Sequence, residues 1–174
     1  MEQLMTSSDC KKCSLCCRFA DGFEDYAPVF STEEKEKVLK KGFPSSLFKK
    51  IGNELWQVSL ERRADQVLYC PFYSGWQCKI YDVEPFECVL WPFYVMKSRD
   101  GKKALLAIDE DEACPAALAE SKKFKSHVVY LIKKLQSEEM VRFFSKNPQL
   151  IYRYEADYKV LSELPGLSGL LVIR

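Results

Sequence analysis

The chain has 174 residues and sets 26 Lys and Arg against 25 Asp and Glu, a formal net charge of +1. It therefore lacks the one-signed basic surface that neutralising phosphates demands, and nucleic acid is not an expected partner. With 47% hydrophobic and 13% aromatic residues it is too apolar for a disordered chain, and at this length about 70% of its extended surface can be buried.

Residues 1–30 read as a loop-rich arm that carries Cys10, Cys13, Cys16 and Cys17. The run Ser31-Thr32-Glu33-Glu34 predicts a helix start: Ser31 can cap, Glu34 can reach back, and Gly42 can take the left-handed exit. Val38 and Leu39 are its expected buried positions. Residues 54–60 alternate and predict a strand, as do 66–70 and 77–81 around a turn at Ser74-Gly75. A second hairpin is expected where 93–97 and 103–108 flank Asp100-Gly101. Pro115 follows Cys114 at an expected first helical turn, and Val128, Leu131, Ile132 and Leu135 recur at helical spacing. A shorter helix is predicted over 138–146, stopping before Asn147-Pro148. In the tail, 151–154 reads as a strand and 157–164 as a helix. The expected fold is α+β: a single small domain over 1–174 with a cysteine-rich loop and hairpin front, a motif region over 10–114, and mainly helical support over 115–148.

Eight cysteines beside a single histidine are the departure from ordinary composition. The stretch from Met1 to Asp9 has neither a basic start nor an apolar core of export-signal length, and no apolar run approaches a membrane span. The expected setting is the cytoplasm, without a membrane partner. In that reducing compartment thiols serve metal or redox chemistry rather than disulfides. Cys10, Cys13, Cys16 and Cys17 follow the order C-x2-C-x2-C-C, whose two-residue gaps let a turning backbone aim sulfurs at one point. Cys16 and Cys17, as neighbours, are expected to diverge, so that they serve different centres or one of them is not a ligand. Cys70 and Cys78 close a short hairpin, Cys88 follows Pro85, and Cys114 precedes Pro115, so four plus four suits two sites.

Charge makes cations necessary in that reading. Ionising all eight thiols would carry the formal charge from +1 to −7, and two dications or two [4Fe–4S]²⁺ cores would return it to −3. A structural zinc site contributes about 10 to 16 kcal/mol, comparable with the whole net stability of a domain. Three cysteines at two-residue spacing and the Cys114-Pro115 dipeptide resemble the ferredoxin pattern, whereas all-sulfur zinc sites more often use two separated C-x2-C pairs. The expected cofactor is an iron–sulfur cluster, with zinc as the alternative.

The run of Cys10, Cys13, Cys16 and Cys17, followed by Cys70, Cys78-Lys79-Ile80-Tyr81, Pro85, Cys88 and Trp91-Pro92-Phe93, resembles the YkgJ-like CxxCxxCC cysteine-cluster family. That resemblance implies a zinc- or iron-chelating module over roughly 10–114. Relatives commonly carry Gly, Arg and Arg where this chain has Ser14, Glu84 and Val89. The family is also similar to the cysteine-rich part of flagellin lysine methylases, which keeps an iron–sulfur-dependent protein-modifying enzyme open, although no Gly-rich loop of the kind that cradles a nucleotide is present.

The expectation is thus a metal-binding protein with a structural or electron-transfer role and an unidentified protein or redox partner. Its ligand candidates are Cys10, Cys13, Cys16, Cys17, Cys70, Cys78, Cys88 and Cys114. The alternative is a zinc-stabilised interaction module without redox activity. His127 is expected at the surface or edge of the core rather than as a ligand. The lysines at 122, 123, 125, 133 and 134 read as a solvated helix face. Tyr69, Phe72, Tyr73, Trp76, Tyr81, Phe86, Trp91 and Phe93 read mostly as core, and Asp109 to Glu112 as an acidic loop.

Overall fold

The computed structural model describes residues 1–6, 8–9, 15–109, 122–154 and 157–171. Helix and strand account for 38% and 25% of the chain, a mixed α+β fold. The chain forms two compact units, Met5–Val89 and a second made of Met1–Leu4 with Leu90–Arg174.

In the Met5–Val89 unit, local chemistry starts the first helix, α1 (Thr32–Lys40). The Glu34 N–H donates to Ser31 Oγ at 3.3 Å while the Ser31 N–H donates to Glu34 Oε2 at 2.8 Å, so two otherwise orphaned amides are satisfied. Gly42, at φ +92°, ends it in the left-handed conformation that costs glycine nothing. Strands β2 (Val29–Ser31), β3 (Phe48–Lys50) and β4 (Leu55–Val58) form an antiparallel sheet with β4 in the middle. Trp56 of β4 pairs with Phe30 on one side and Lys50 on the other.

The core of this unit collects Phe30, Val38, Phe48, Tyr69, Phe72 and Ile80. Phe72 meets Phe30 and Phe43 edge to face at 5.9 and 5.0 Å, the arrangement that ring quadrupoles favour. Burying each such ring stabilises by about 1.5–3 kcal/mol. Lys35 is buried as well, its Nζ standing 3.2 Å from the Trp56 ring centroid, so a cation–π contact replaces part of its hydration. Leu39 is half-buried against the same cluster.

Three short strands carry the cysteine segments: β1 (Arg18–Phe19), β5 (Glu61–Arg62) and β6 (Leu68–Tyr69), with β6 between the other two. Residues 66–70 therefore pair with β1 and β5, not with 77–81. The latter segment contributes β8 (Gln77–Cys78), which pairs with β7 (Tyr73–Ser74) across Gly75 and Trp76. Both turn residues have positive φ, 60° and 62°, the backbone that matches strand twist in a two-residue hairpin. A one-turn helix, α2 (Phe86–Leu90), follows.

In the second unit, β9 (Phe93–Lys97), β10 (Ala104–Asp109) and β11 (Tyr158–Glu163) form an antiparallel sheet with β10 central. Ala104 through Ile108 are all buried, which explains their unbroken apolar run. The helix expected over 157–164 is instead β11: Asp109 pairs with Tyr158 and Leu105 with Glu163. Long-range pairing along an edge outweighs the modest helix preference of Lys, Leu and Glu. Residues 151–154 supply a single bridge, Tyr152 to Met96, rather than a strand. Helix α3 (Lys122–Leu135) buries His127, Leu131 and Leu135. Helix α4 (Glu138–Lys146) is capped by Ser137, buries Met140 and Phe144, and ends at Asn147. The expected helix start at Pro115 and the acidic residues Glu110 to Glu112 lie outside the described residues.

Candidate metal centre

Five of the eight cysteines, Cys16, Cys17, Cys70, Cys78 and Cys88, are described, and all belong to the Met5–Val89 unit. Cys10, Cys13 and Cys114 lie outside the described residues. Cys16 and Cys17 occupy a single 3-10 turn, Leu15–Cys17, that runs directly into β1. The β1–β6 ladder, with Arg18 opposite Tyr69, is extended by the Cys70 N–H donating to the Cys17 carbonyl at 3.0 Å. Residues more than fifty positions apart are thereby fixed side by side. The Tyr73 N–H then donates to the Cys70 carbonyl at 2.9 Å, folding the chain into the hairpin that sets Cys78 opposite Tyr73.

Cys88 comes from α2, a helix too short to hold itself. Two distant partners fasten it: the Phe86 N–H donates to Glu34 Oε1 at 2.8 Å, and Glu87 Oε2 accepts from the Val29 N–H at 2.8 Å. Glu34 thus serves α1 through one oxygen and α2 through the other. Its capping role is readable in the sequence; its reach to Phe86, and the part played by Glu87, have no local signal.

Cys70 is buried and the other four are half-buried, with Cys17 and Cys78 packed against the aromatic core. The thiols feel one another. For Cys17 a hydrogen bond from Cys16 acts to lower the pKa, but desolvation and the neighbouring Cys70, Cys88 and Cys78 carry it above its ordinary value. Burial pushes Cys70 up to about 12, against a hydrogen bond from the Phe72 backbone, with Cys78, Cys16 and Glu61 adding to the rise. Cys88 is also held well above the ordinary range, by burial first and then by Cys70, Cys16, Glu84 and Cys78. Each of these sulfurs resists ionisation because it is partly removed from water and because its neighbours would carry the same charge.

Cys16 and Cys17, expected as neighbours to diverge, share the 3-10 turn, and Cys16 acts on Cys17 to lower its pKa. Cys16 and Cys17 lie near enough to Cys70, Cys78 and Cys88 for their charges to act on one another. Among the described residues, no three His, Cys, Asp or Glu side chains are arranged to hold one ion between them. The donor chemistry nonetheless fits a thiophilic cation, which would remove the mutual repulsion that keeps these thiols protonated.

Glu84 stands beside this group. Its Oε1 is buried with no hydrogen-bond partner among the described residues, and burial raises its pKa from 4.5 to about 8. Of the neighbouring aromatics, Tyr69, Phe72, Tyr73 and Phe86 are buried whereas Trp76, at the hairpin turn, is 69% exposed. His127 belongs to the other unit, 8% exposed, its ring against Phe93 and Tyr130 at 5.7 and 5.6 Å. Its Nε2 has no partner among the described residues, and desolvation lowers its pKa. Among the described residues no helix is long and apolar enough to cross a membrane. Compared with known proteins, the chain matches no family model, no curated protein sequence and no solved structure.

Proposed function

We propose that this chain is a metal-binding protein whose cysteines hold one or two all-sulfur centres, iron–sulfur in kind, with a structural or electron-transfer role. The reading is carried by one observation: cysteines from four separate segments, at 16–17, 70, 78 and 88, lie within electrostatic reach of one another in a single unit. Thiols gathered in this way can ionise together only if a cation compensates, since each thiolate would meet like charge in a partly desolvated setting. The order C-x2-C-x2-C-C and the lack of a second C-x2-C pair favour iron–sulfur over zinc.

The cysteines at 16, 17, 70, 78 and 88 would contribute thiolates, with Cys10, Cys13 and Cys114 the further candidates that the sequence offers. When bound, an iron–sulfur core would supply a one-electron redox couple. The protein's own part is to release thiol protons on binding, to orient Cys88 through Glu34 and Glu87, and to exclude water with Tyr69, Phe72 and Tyr73. Four of the five described cysteines are half-buried rather than sealed, which suits electron exchange with a docking partner.

The test is anaerobic purification followed by iron, zinc and acid-labile sulfide analysis. A brown protein with a broad visible absorption band and matching iron and sulfide supports the reading. A colourless protein with stoichiometric zinc replaces it with a zinc-stabilised interaction module. A metal-free folded protein overturns both. Single Cys→Ser variants, each assayed for metal, assign the ligands.

A further inference from the structure

Immediately beside Cys16 and Cys17, between the β1 strand and the turn that leads into β6, the surface opens into a cleft of about 300 Å³. This volume lies at the small end of the range for ligand pockets. At about 30 Å³ per non-hydrogen atom, the share of a water in its liquid, it has room for roughly ten atoms. Leu15, Phe19 and Val67 give it apolar walls, and Leu15 is left 42% exposed.

The polar groups of the cleft are unequal. Asp21 is committed to Arg62, with which it forms an ion pair. Gln66 is held at φ +64°, a conformation that non-glycine residues rarely adopt, by its N–H donating to the Arg63 carbonyl at 2.9 Å and by Arg62 donating to its own carbonyl at 3.0 Å. Arg18 is exposed and forms no salt bridge among the described residues. Its guanidinium stands 5.7 Å from the Tyr69 ring centroid. The nearby acid that feels its charge, Asp65, is occupied by the Tyr69 hydroxyl at 2.7 Å and the Val67 N–H at 3.1 Å. A lining arginine without a salt bridge among the described residues, beside apolar walls, selects a ligand with one negative end and an apolar body.

We propose that this cleft binds a small monocarboxylate with an apolar chain or ring, its carboxylate on Arg18 and its body against Leu15, Phe19 and Val67. The inference does not depend on the metal. The test is an amide chemical-shift titration of the full chain in metal-free, reduced form, with calorimetry on the chain as purified, using hexanoate and separately 1-hexanol at constant ionic strength. Hexanoate should give saturable shifts centred on residues 15–20 and 66–67, and hexanol should bind about tenfold more weakly, the size of effect a charge-assisted pair supplies. R18Q should lose a similar factor for hexanoate alone, R18K should keep most of the affinity, and V67W should abolish binding by filling the cleft. Shifts that fail to saturate by about 10 mM, the weak limit for ligands of this size, or equal binding of the acid and the alcohol, would overturn the proposal. If R18Q does not fold, the comparison of acid with alcohol on the unaltered chain decides alone.

Discussion

Replacing Glu84 by Gln should remove a pH dependence that the buried carboxyl imposes on the Met5–Val89 unit. Burial raises the Glu84 pKa from 4.5 to about 8, so between those values the folded chain keeps a proton that the unfolded chain releases. Stability must then fall as pH rises through this window, because the folded state binds more protons than the unfolded one. A displacement of that size corresponds to at most about 5 kcal/mol, and partial solvent contact reduces the expected effect to about 2–3 kcal/mol. The carboxyl is neutral in the folded state at pH 5, where E84Q and the parent should be nearly equal; at pH 9 E84Q should be the more stable by that amount. Because the chain has two compact units, hydrogen exchange at the Phe30, Leu55 and Phe72 amides is a better readout than a single unfolding midpoint. The measurement belongs on metal-free and metal-loaded protein in reductant, since a cation at Cys88 would favour the carboxylate and flatten the slope. A difference between parent and variant that stays constant across pH 5–9 in the metal-free protein would refute the reasoning.

Phe72→Ala should destabilise the Met5–Val89 unit by about 3–5 kcal/mol, since the ring is fully buried and its removal leaves a cavity against Phe30, Phe43 and Phe48; chemical denaturation followed by hydrogen exchange measures it. Glu34→Ala should cost about 2–3 kcal/mol, more than an ordinary cap, because it also strips the Phe86 N–H of its acceptor, and metal retained after gel filtration should drop with it. His127→Gln should flatten the acid limb of stability: the lowered histidine pKa means stability is complete above about 6.5 and is lost as pH falls through the folded-state value, so parent and variant should diverge only on acidification. In metal-free protein Cys70 should react with iodoacetamide at pH 8 at least about a hundredfold more slowly than an unfolded thiol, and mass spectrometry after timed quenching would find it labelled early if the burial argument fails.

The elements legible in the sequence are those decided by neighbours along the chain. Ser31 and Glu34 state a helix start in four residues, and Asp100-Gly101 states a turn whose glycine has φ +73°. Residues 157–164 carry no comparable mark. Their identity as a strand comes from β10, some fifty positions earlier, so it is written in the partner and not in the segment. The candidate site divides in the same way. That the cysteines form one candidate set is read from their order in the sequence. The meeting of Cys16 with Cys17 depends on a 3-10 turn, and the placing of Cys88 depends on carboxylates at 34 and 87, neither of which has a periodicity to betray it. Glu84 carries no local mark in the sequence, and the cost of its burial emerges from the packing around it.

The fastening of α2 also sets a schedule for biosynthesis. Chain leaves the ribosome in one direction, and Val29 and Glu34 emerge long before the amides and carboxylates of 86 and 87 that they meet. Until the nascent polypeptide has cleared Glu87, Cys88 has neither of these anchors. The Met5–Val89 unit therefore gains its last fastening while the residues after Val89 are still being added, and not at its own amino end.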